Sequence, residues 1–209
     1  MDKKKLKDAI NKALEDKGKK KFTQSVEIII NMRGIDFSKS ENRLNLDIVL
    51  PKGKGGKEPK TAVFAEEAVG SEAKKAGALV IPPSEIDSYK DAKKLKELTS
   101  DHVLLAQPNL MGQVAKSLGQ MLGKMGKLPR PIVGKVGSVI ERTMKSVRIR
   151  SKGKYLPVAQ AFIGTEKMEV DDLLENAEAV YDAVKAKVSE GNVKSVYVKL
   201  TMGRPARAM

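Results

Sequence analysis

The sequence predicts an α/β protein, and three observations support that prediction. Short apolar strands alternate with amphipathic helices through the middle of the chain, a rhythm typical of a three-layer domain with a parallel sheet. Further strand and helix patterns lie on both sides of that middle part. The composition, 41% hydrophobic and 32% charged over 209 residues, is that of a folded chain long enough for one large domain or two small ones.

The first quarter of the chain predicts a helix, two strands and a loop. Residues 2–17 have helical periodicity, since Leu6 and Ile10 lie four positions apart and Gly18 follows where a helix would end. The β-branched run "FTQSVEIIINMRGID" and the alternating run "NRLNLDIVLP" predict two strands. The stretch "KGKGGKEPK" at 52–60 predicts a flexible basic loop, and it is the best hinge candidate in the sequence.

Strands and helices alternate from residue 61 onward. The predicted strands are "TAVFA", "ALVIPP" and "HVLLAQP". The predicted helices are "EEAVGSEAKKAG", "SEIDSYKDAKKLKELTSD" with Ser84 as its N-cap, and "LMGQVAKSLGQMLGKMG". Met121 and Met125 in the last of these have helical spacing and are expected in the core.

The remainder of the chain predicts two helices and three strands. "GSVIERTMKS" gives a short helix, "VRIRSKGKYLPVAQAFIG" two strands around a turn, and "EVDDLLENAEAVYDAVKAKVSEG" the clearest helix of the chain. The final strand alternates Val196, Val198 and Leu200 with polar positions. It then stops at Thr201-Met202-Gly203 and continues into a basic tail.

The charge balance points to a polyanionic partner. The chain has 40 basic and 26 acidic residues, a formal charge of +14 and a pI near 9.7. Folding does not require this excess and self-repulsion opposes it, so we expect nucleic acid as the partner, with a merely basic soluble protein as the alternative.

Three basic runs contain no acidic residue, and together they predict a shared electropositive surface. They are residues 17–22, residues 118–137 and residues 147–154. Each run on its own could instead be a solvated face or a mobile loop. Their basic residues beyond the first run are Lys124, Lys127, Arg130, Lys135, Arg148, Arg150, Lys152 and Lys154.

Nothing in the sequence indicates catalysis. The chain has no cysteine and one histidine, His102, which stands at the start of an apolar strand and is expected to be structural. Neither a GxxxxGK[ST] loop nor a GxGxxG fingerprint is present, so no cofactor is expected. An enzyme that binds a nucleotide in the central α/β part stays open as an alternative. Neither a membrane-spanning run nor a secretory signal is found, which predicts a cytoplasmic protein without a membrane partner.

The scarcity of aromatic residues limits the kind of nucleic acid that the protein is expected to bind. Four Phe, four Tyr and no Trp provide few rings on which single-stranded bases could stack. A folded RNA recognised through its shape, phosphates and ribose hydroxyls is the better expectation.

Several stretches resemble the family of large-subunit ribosomal protein one, the protein of the mobile stalk on the tRNA-exit side of the ribosome. The matching stretches are "KFTQSVEIIINMRGID", "LNLDIVLPKGKG", "LLAQPNLMGQVAKSLGQMLGKMGKLPRP" and "SVYVKLTMG". The resemblance covers nearly the whole chain and is closer to archaeal than to bacterial members. It implies a discontinuous RNA-binding split α/β domain, of the α+β type, over residues 1–53 and 149–209. It also implies an inserted three-layer Rossmann-like domain over residues 54–148, joined through linkers that permit hinge opening.

The function that the resemblance implies is structural binding of large-subunit rRNA at the stalk. It further implies a part in releasing exit-site tRNA, and repression of translation by binding the protein's own mRNA. No enzymatic activity is implied, and we expect a monomer outside the ribosome. A non-ribosomal RNA-binding regulator of the same fold is the alternative.

The resemblance also implies which residues bind RNA. On the residue positions that match the family, these are Lys21, Phe22, Ser25, Glu27, Ser195, Thr201, Met202 and Gly203. Secondary contacts from the inserted domain are expected from Lys124, Lys127, Arg130, Arg150, Lys152 and Lys154. The family usually has proline directly after Gly203, whereas this chain has Arg204 before Pro205. The sequence therefore leaves the path of the tail open.

Overall fold

The computed structural model describes residues 2–151 and 156–209, and the chain divides into two compact units. Unit 1 comprises Met1–Glu58 and Lys145–Met209, and unit 2 comprises Pro59–Met144. Residues 54–58 and 145–148, which the family resemblance assigns to the inserted domain, belong with unit 1.

The elements alternate along the chain as follows. The first half contains α1 (Lys3–Leu14), β1 (Ser25–Met32), β2 (Asn45–Val49), β3 (Lys60–Phe64), α2 (Glu67–Lys75), β4 (Leu79–Ile81), α3 (Ala92–Asp101) and β5 (His102–Ala106). The second half contains α4 (Met111–Met125), β6 (Arg130–Pro131), α5 (Val136–Lys145), β7 (Ser146–Arg150), β8 (Val158–Thr165), α6 (Val170–Val188), β9 (Val193–Leu200) and β10 (Ala206–Arg207).

Unit 1 is built on a four-stranded antiparallel sheet of order β10-β9-β1-β8. Alternate residues of β1 are buried, among them Val26, Ile28 and Ile30, and they lie opposite buried residues of β9 such as Val198. This face of the sheet forms one core with α1 and α6. The predicted alternation of the last long strand is confirmed, because Val196, Val198 and Leu200 are all fully buried.

A second, two-stranded sheet in unit 1 pairs β2 with β7 in antiparallel register from Asn45–Arg150 to Val49–Ser146. The sequence predicts β7 and β8 as two strands around one turn. The structure places them in different sheets, since β8 pairs with β1 from Ser25–Thr165 onward. Pairing partners about a hundred or more positions away replace the local hairpin. The predicted turn itself, at 152–155, lies outside the described residues.

Unit 2 is the three-layer α/β domain that the strand–helix rhythm predicts. Its parallel sheet has the order β4-β3-β5-β6. One side chain of β3, Phe64, packs with α3 and α4 through Leu95 and Leu118, whereas its neighbour Val63 packs with α2 and α5 through Ala73 and Ile140. Helices therefore cover both faces, as expected for a sheet whose strands are buried on both sides.

Two local predictions for unit 2 are wrong. Residues 84–101 do not form one helix with Ser84 as N-cap: a 3₁₀ segment, Pro83–Lys90, precedes α3, and the Asp91 side chain caps α3 by accepting the N–H of Lys93. Met125 is not in the core but 42% exposed, because the core position of the last turn of α4 is taken by Leu122.

Candidate RNA-binding surface

The start of β1 and the end of β9 are joined side by side at one end of the unit 1 sheet. The Ser25 N–H donates to Thr201 Oγ1 at 3.2 Å, and the Thr201 N–H donates to the Ser25 carbonyl at 3.0 Å. Glu27 lies opposite Lys199 in the same register. Residues that are 176 positions apart in the chain therefore form one surface. We call it the strand-end surface, and its members are Lys21, Phe22, Ser25, Glu27, Thr201, Met202 and Gly203.

This surface faces away from the helices. Side chains alternate across a strand, so Ser25, Glu27, Lys199 and Thr201 project from the face opposite to the core residues. Among the described residues, no hydrogen bond or ion pair engages the Glu27 carboxylate. The carboxylate is available as an acceptor.

Two large apolar side chains of the strand-end surface lie in solvent. Met202 is 64% exposed and Phe22 is 51% exposed. Single exposed apolar residues are common on protein surfaces. Here Met202 directly follows Thr201 and Phe22 precedes Ser25 by three residues, so apolar groups and hydrogen-bonding groups come from the same two chain segments.

Gly203 lies where the chain approaches itself closely. Its N–H closes a turn by donating to the Leu200 carbonyl at 2.9 Å. A Cβ at this position would lie 3.0 Å from the Leu200 Cβ and 3.4 Å from the Leu200 nitrogen. A larger residue at this position would require the neighbouring atoms of Leu200 to shift by a few tenths of an ångström.

The path of the tail, left open by the sequence, is now defined. After Arg204 and Pro205 the chain turns back and adds β10 to the edge of β9, with Ala206 opposite Val198. Ala206 and Ala208 are each 4% exposed, and the Ala208 N–H donates to the Val196 carbonyl at 2.8 Å. The extra residue before Pro205 is thus accommodated in the loop between β9 and β10.

Ser195 lies apart from the other predicted residues. It shares the face of Thr201, but six residues of extended strand, about 20 Å, separate the two. Ser195 is 6% exposed, and its Oγ accepts a hydrogen bond from Asn31 Nδ2 at 3.0 Å.

The loop that the sequence predicts as flexible is attached to unit 1 at several points. Asn176 donates to the Gly53 carbonyl at 3.0 Å and accepts the N–H of Lys52 at 3.0 Å. The Thr165 hydroxyl donates to the Gly55 carbonyl at 3.0 Å. This attachment explains why residues 54–58 belong with unit 1.

The same loop brings Lys57 to the strand-end surface, which the sequence did not indicate. Lys57 Nζ donates to Ser25 Oγ at 3.0 Å and to the Thr23 carbonyl at 2.8 Å. Each ammonium has three donors, so one remains for a ligand. No local signal distinguishes Lys57 among 40 basic residues.

The first basic run and the tail also approach each other. The pKa of the Asp16 carboxyl is lowered, first by the hydrogen bond from Lys19 Nζ and then by the charges of Lys19, Arg204 and Lys20. β10, which follows Arg204, contacts α1, the helix that precedes the run 17–22.

The residues predicted to make secondary contacts do not form one group. Lys124 and Lys127 are exposed at the end of α4 in unit 2, where Arg130 is half-buried. Arg150 lies instead in unit 1, on β7, and its Nε donates to Asn45 at 3.3 Å. The expectation that its contact comes from the inserted domain is wrong: the predicted bounds put residue 150 in the split domain, and β7 pairs with β2 in unit 1. Lys152 and Lys154 lie outside the described residues.

The usual ligand position of the unit 2 sheet is poorly suited to bind a nucleotide. In such sheets ligands bind beyond the carboxyl ends of the strands where the strand order reverses. At that position, after β3 and β5, the Glu66 carboxylate accepts from Asn109 at 3.2 Å, and Gln107 accepts the Glu66 N–H at 3.1 Å. An anionic side chain there would repel a phosphate.

Other sites are equally lacking in the part of the chain that the structure describes. His102 sits at the start of β5 with Nδ1 3.1 Å from the Leu98 carbonyl, a local contact that fits the predicted structural role. Within residues 2–151 and 156–209, no group of three or more His, Cys, Asp and Glu side chains could hold a metal ion. None of the described helices combines the length and the apolar character needed to cross a bilayer.

Comparison with known proteins identifies close relatives over the whole chain. The family model described as "Ribosomal protein L1p/L10e family" matches residues 9–204, a span that includes every member of the strand-end surface. A protein of Thermofilum pendens described as large ribosomal subunit protein uL1 is 42% identical over 97% of this chain and 92% of its own length. Proteins with the same description from Thermococcus kodakarensis and Methanothermococcus thermolithotrophicus are 41% and 38% identical, over 97% and 99% of this chain and 95% and 99% of their own lengths.

Proposed function

Since the chain belongs to the ribosomal protein L1p/L10e family, a family of structural and non-enzymatic proteins, we propose that it binds large-subunit rRNA through the strand-end surface. The protein is then a component of the large ribosomal subunit in the cytoplasm. The relatives from archaea, which are each described as large ribosomal subunit protein uL1, support the ribosomal assignment.

One observation supports the choice of this surface above others. Hydroxyl, carboxylate and exposed apolar groups from two chain segments meet at the joined ends of β1 and β9. Ribose 2′-hydroxyls both donate and accept, so Ser25, Glu27 and Thr201 can pair with them and select RNA over DNA. Met202 and Phe22 can pack on ribose or on a base face.

Glu27 gives the proposal a sharp chemical requirement. A carboxylate that faces RNA is repelled by phosphates unless it accepts a specific hydroxyl proton. Its neighbour Lys199, opposite in the register, offsets part of that repulsion. We therefore assign Glu27 to a ribose hydroxyl.

Charge-based contacts supplement this surface. Lys21 and the third donor of Lys57 are suited to phosphates at its border, and Ser195 would extend it along β9. Lys124, Lys127 and Arg130 in unit 2 and Arg150 in unit 1, with Lys152 and Lys154, would add phosphate contacts that position the RNA without reading it.

The finer functions are part of the same proposal. As a stalk protein the chain would act in the release of exit-site tRNA, and it would repress translation by binding its own mRNA through the same surface. It would be a monomer outside the ribosome. A non-ribosomal RNA-binding regulator is the second candidate, because the strand-end surface would serve either role.

Identification of the bound RNA separates these candidates. The protein is purified from its own host at low salt, and the copurifying RNA is sequenced. Recovery of the stalk segment of large-subunit rRNA supports the ribosomal function, and recovery of its own mRNA supports repression. Recovery of other RNAs alone would favour the regulator, and recovery of none, with no binding to a stalk rRNA transcript, would refute the proposal.

A further inference from the structure

A buried carboxylate lies directly behind the strand-end surface. Glu166 follows β8 and is 5% exposed, and Gln24 beside it is 1% exposed. Glu166 Oε1 accepts the Gln24 N–H at 3.0 Å, and Glu166 Oε2 accepts the Gly18 N–H and Gln24 Nε2, each at 3.3 Å. The Glu166 N–H in turn donates to the Gln24 carbonyl at 3.0 Å.

The network reaches the 201–203 turn through Gln24. While its Nε2 donates to Glu166, its Oε1 accepts the Met202 N–H at 3.1 Å. The amide orientation is thereby fixed from both ends, since only oxygen can accept from Met202 and only nitrogen can donate to a carboxylate. One buried group connects the basic run 17–22, the start of β1 and the turn that carries Met202.

The network does more than stabilise the fold. Burying a carboxylate is costly, and the backbone N–H groups of Gln24 and Gly18 offset that cost by donating to it. The same hydrogen bonds also define the positions of the Met202 and Gly18 backbones. Met202 belongs to the strand-end surface, and Gly18 lies within four residues of Lys21 and Phe22.

We propose that Glu166 and Gln24 are positioning residues, which hold the strand-end surface in the shape that folded RNA recognises before the RNA arrives. This inference rests on the proposed RNA-binding function. Neither side chain contacts RNA, since both are buried. They raise affinity because the free protein already holds the surface in its binding shape, so less conformational entropy is lost when RNA binds.

Two variants and a matched control test the proposal. Gln24→Met keeps the size but removes the acceptor for Met202 and the donor to Glu166. Glu166→Gln places an amide where two N–H donors now find a carboxylate oxygen. Asn192→Ala is the control: its Nδ2 donates to the Val188 carbonyl at 2.7 Å, at the other end of β9 from the turn.

Three quantities are measured for each variant: thermal stability, the Kd for a stalk rRNA transcript over a range of salt, and hydrogen exchange of single amides. We expect Gln24→Met and Glu166→Gln to raise Kd about tenfold or more, since pre-organisation is lost. The salt slope stays unchanged because no phosphate contact is removed. Exchange at Met202 accelerates, while Ile28 and Val198 in the sheet stay protected. Asn192→Ala should bind like the parent at a similar loss of stability.

Two results would overturn the inference. One is faster exchange at Met202 with unchanged Kd in both variants, which would show that the position of the turn is irrelevant to binding. The other is a loss of exchange protection throughout the protein, together with an increase in Kd that Asn192→Ala also shows. That result would mean that the network contributes only to the overall stability of the fold. Failure of the parent protein to bind the transcript would instead refute the proposed function itself.

Discussion

Two regions of the molecule are suited to contact RNA in different ways: the strand-end surface of unit 1 and the basic segment of unit 2, residues 124–135. In the first, backbone and side-chain hydrogen bonds fix Ser25, Thr201 and Met202, and a buried network lies behind them. In the second, Lys124 and Lys127 extend from the end of a helix into solvent. Fixed polar groups can read a ribose, whereas exposed ammonium groups supply affinity that depends on salt.

An exposed methionine in each region allows the two regions to be compared by mutation. Met202 is 64% exposed in the first region and Met125 is 42% exposed near the second. Met202 lies largely in solvent and Met125 is partly exposed outside the buried core, so each can be replaced by a charged residue without placing that charge in a core. Any difference in RNA affinity then reports on the surface and not on the fold.

The largest expected effect is that of Met202→Asp. A carboxylate at this position would be desolvated against RNA and would face its phosphates, so we expect a loss of about 3 kcal/mol or more in binding free energy, over a hundredfold in Kd. Met125→Asp is the matched control, and its loss should stay below about 1 kcal/mol. Titration of a stalk rRNA transcript measures both. Equal losses would remove the distinction between the regions.

A smaller effect, with an informative sign, is expected for Glu27→Ala. If Glu27 accepts a ribose hydroxyl, its removal weakens binding by about 1.5–3 kcal/mol, as for hydrogen bonds to charged groups. If it merely faces the phosphates, removal of a negative charge tightens binding. Filter binding at fixed salt decides between these outcomes. Glu72→Ala, which removes an exposed carboxylate on α2 in unit 2, controls for the change in net charge.

Local patterns in the sequence predicted most elements but not their partners. The alternation around Val198 and the helical face around Val180 gave β9 and α6, since burial follows from the strand and helix periods. The hydrogen bonds that attach the 52–58 loop to unit 1 could not be predicted from such periodic patterns. Asn176 and Gly53 are 123 positions apart, and glycine-rich basic segments usually indicate flexibility.

The candidate surface was predicted by family resemblance more than by residue chemistry. The resemblance pointed to Ser25 and Thr201, and the fold places them in direct contact. It did not point to Lys57 or Glu166, whose relevance depends on bonds to Ser25 and Gln24 across the fold. The N-cap of α3 is Asp91 and not the predicted Ser84. The sequence could not distinguish them, because both residue types are good N-caps.

The smallest effect is expected for Lys124→Ala. Removing one phosphate contact should weaken binding modestly and lower the slope of log K against log salt by about one. The loss should shrink as salt is raised, whereas the loss from Glu27→Ala should persist. Binding isotherms at several salt concentrations test this contrast. A salt-independent loss at Lys124 would mean that unit 2 also reads the RNA directly.

The central claim is that fixed polar groups at the joined ends of two strands recognise ribose. The most direct measurement is competition, at one salt concentration, between the stalk rRNA transcript and DNA of the same sequence and fold. We predict that the DNA competes at least about a hundredfold more weakly, because several 2′-hydroxyl partners are lost at once. Equal competition by the DNA would contradict the account.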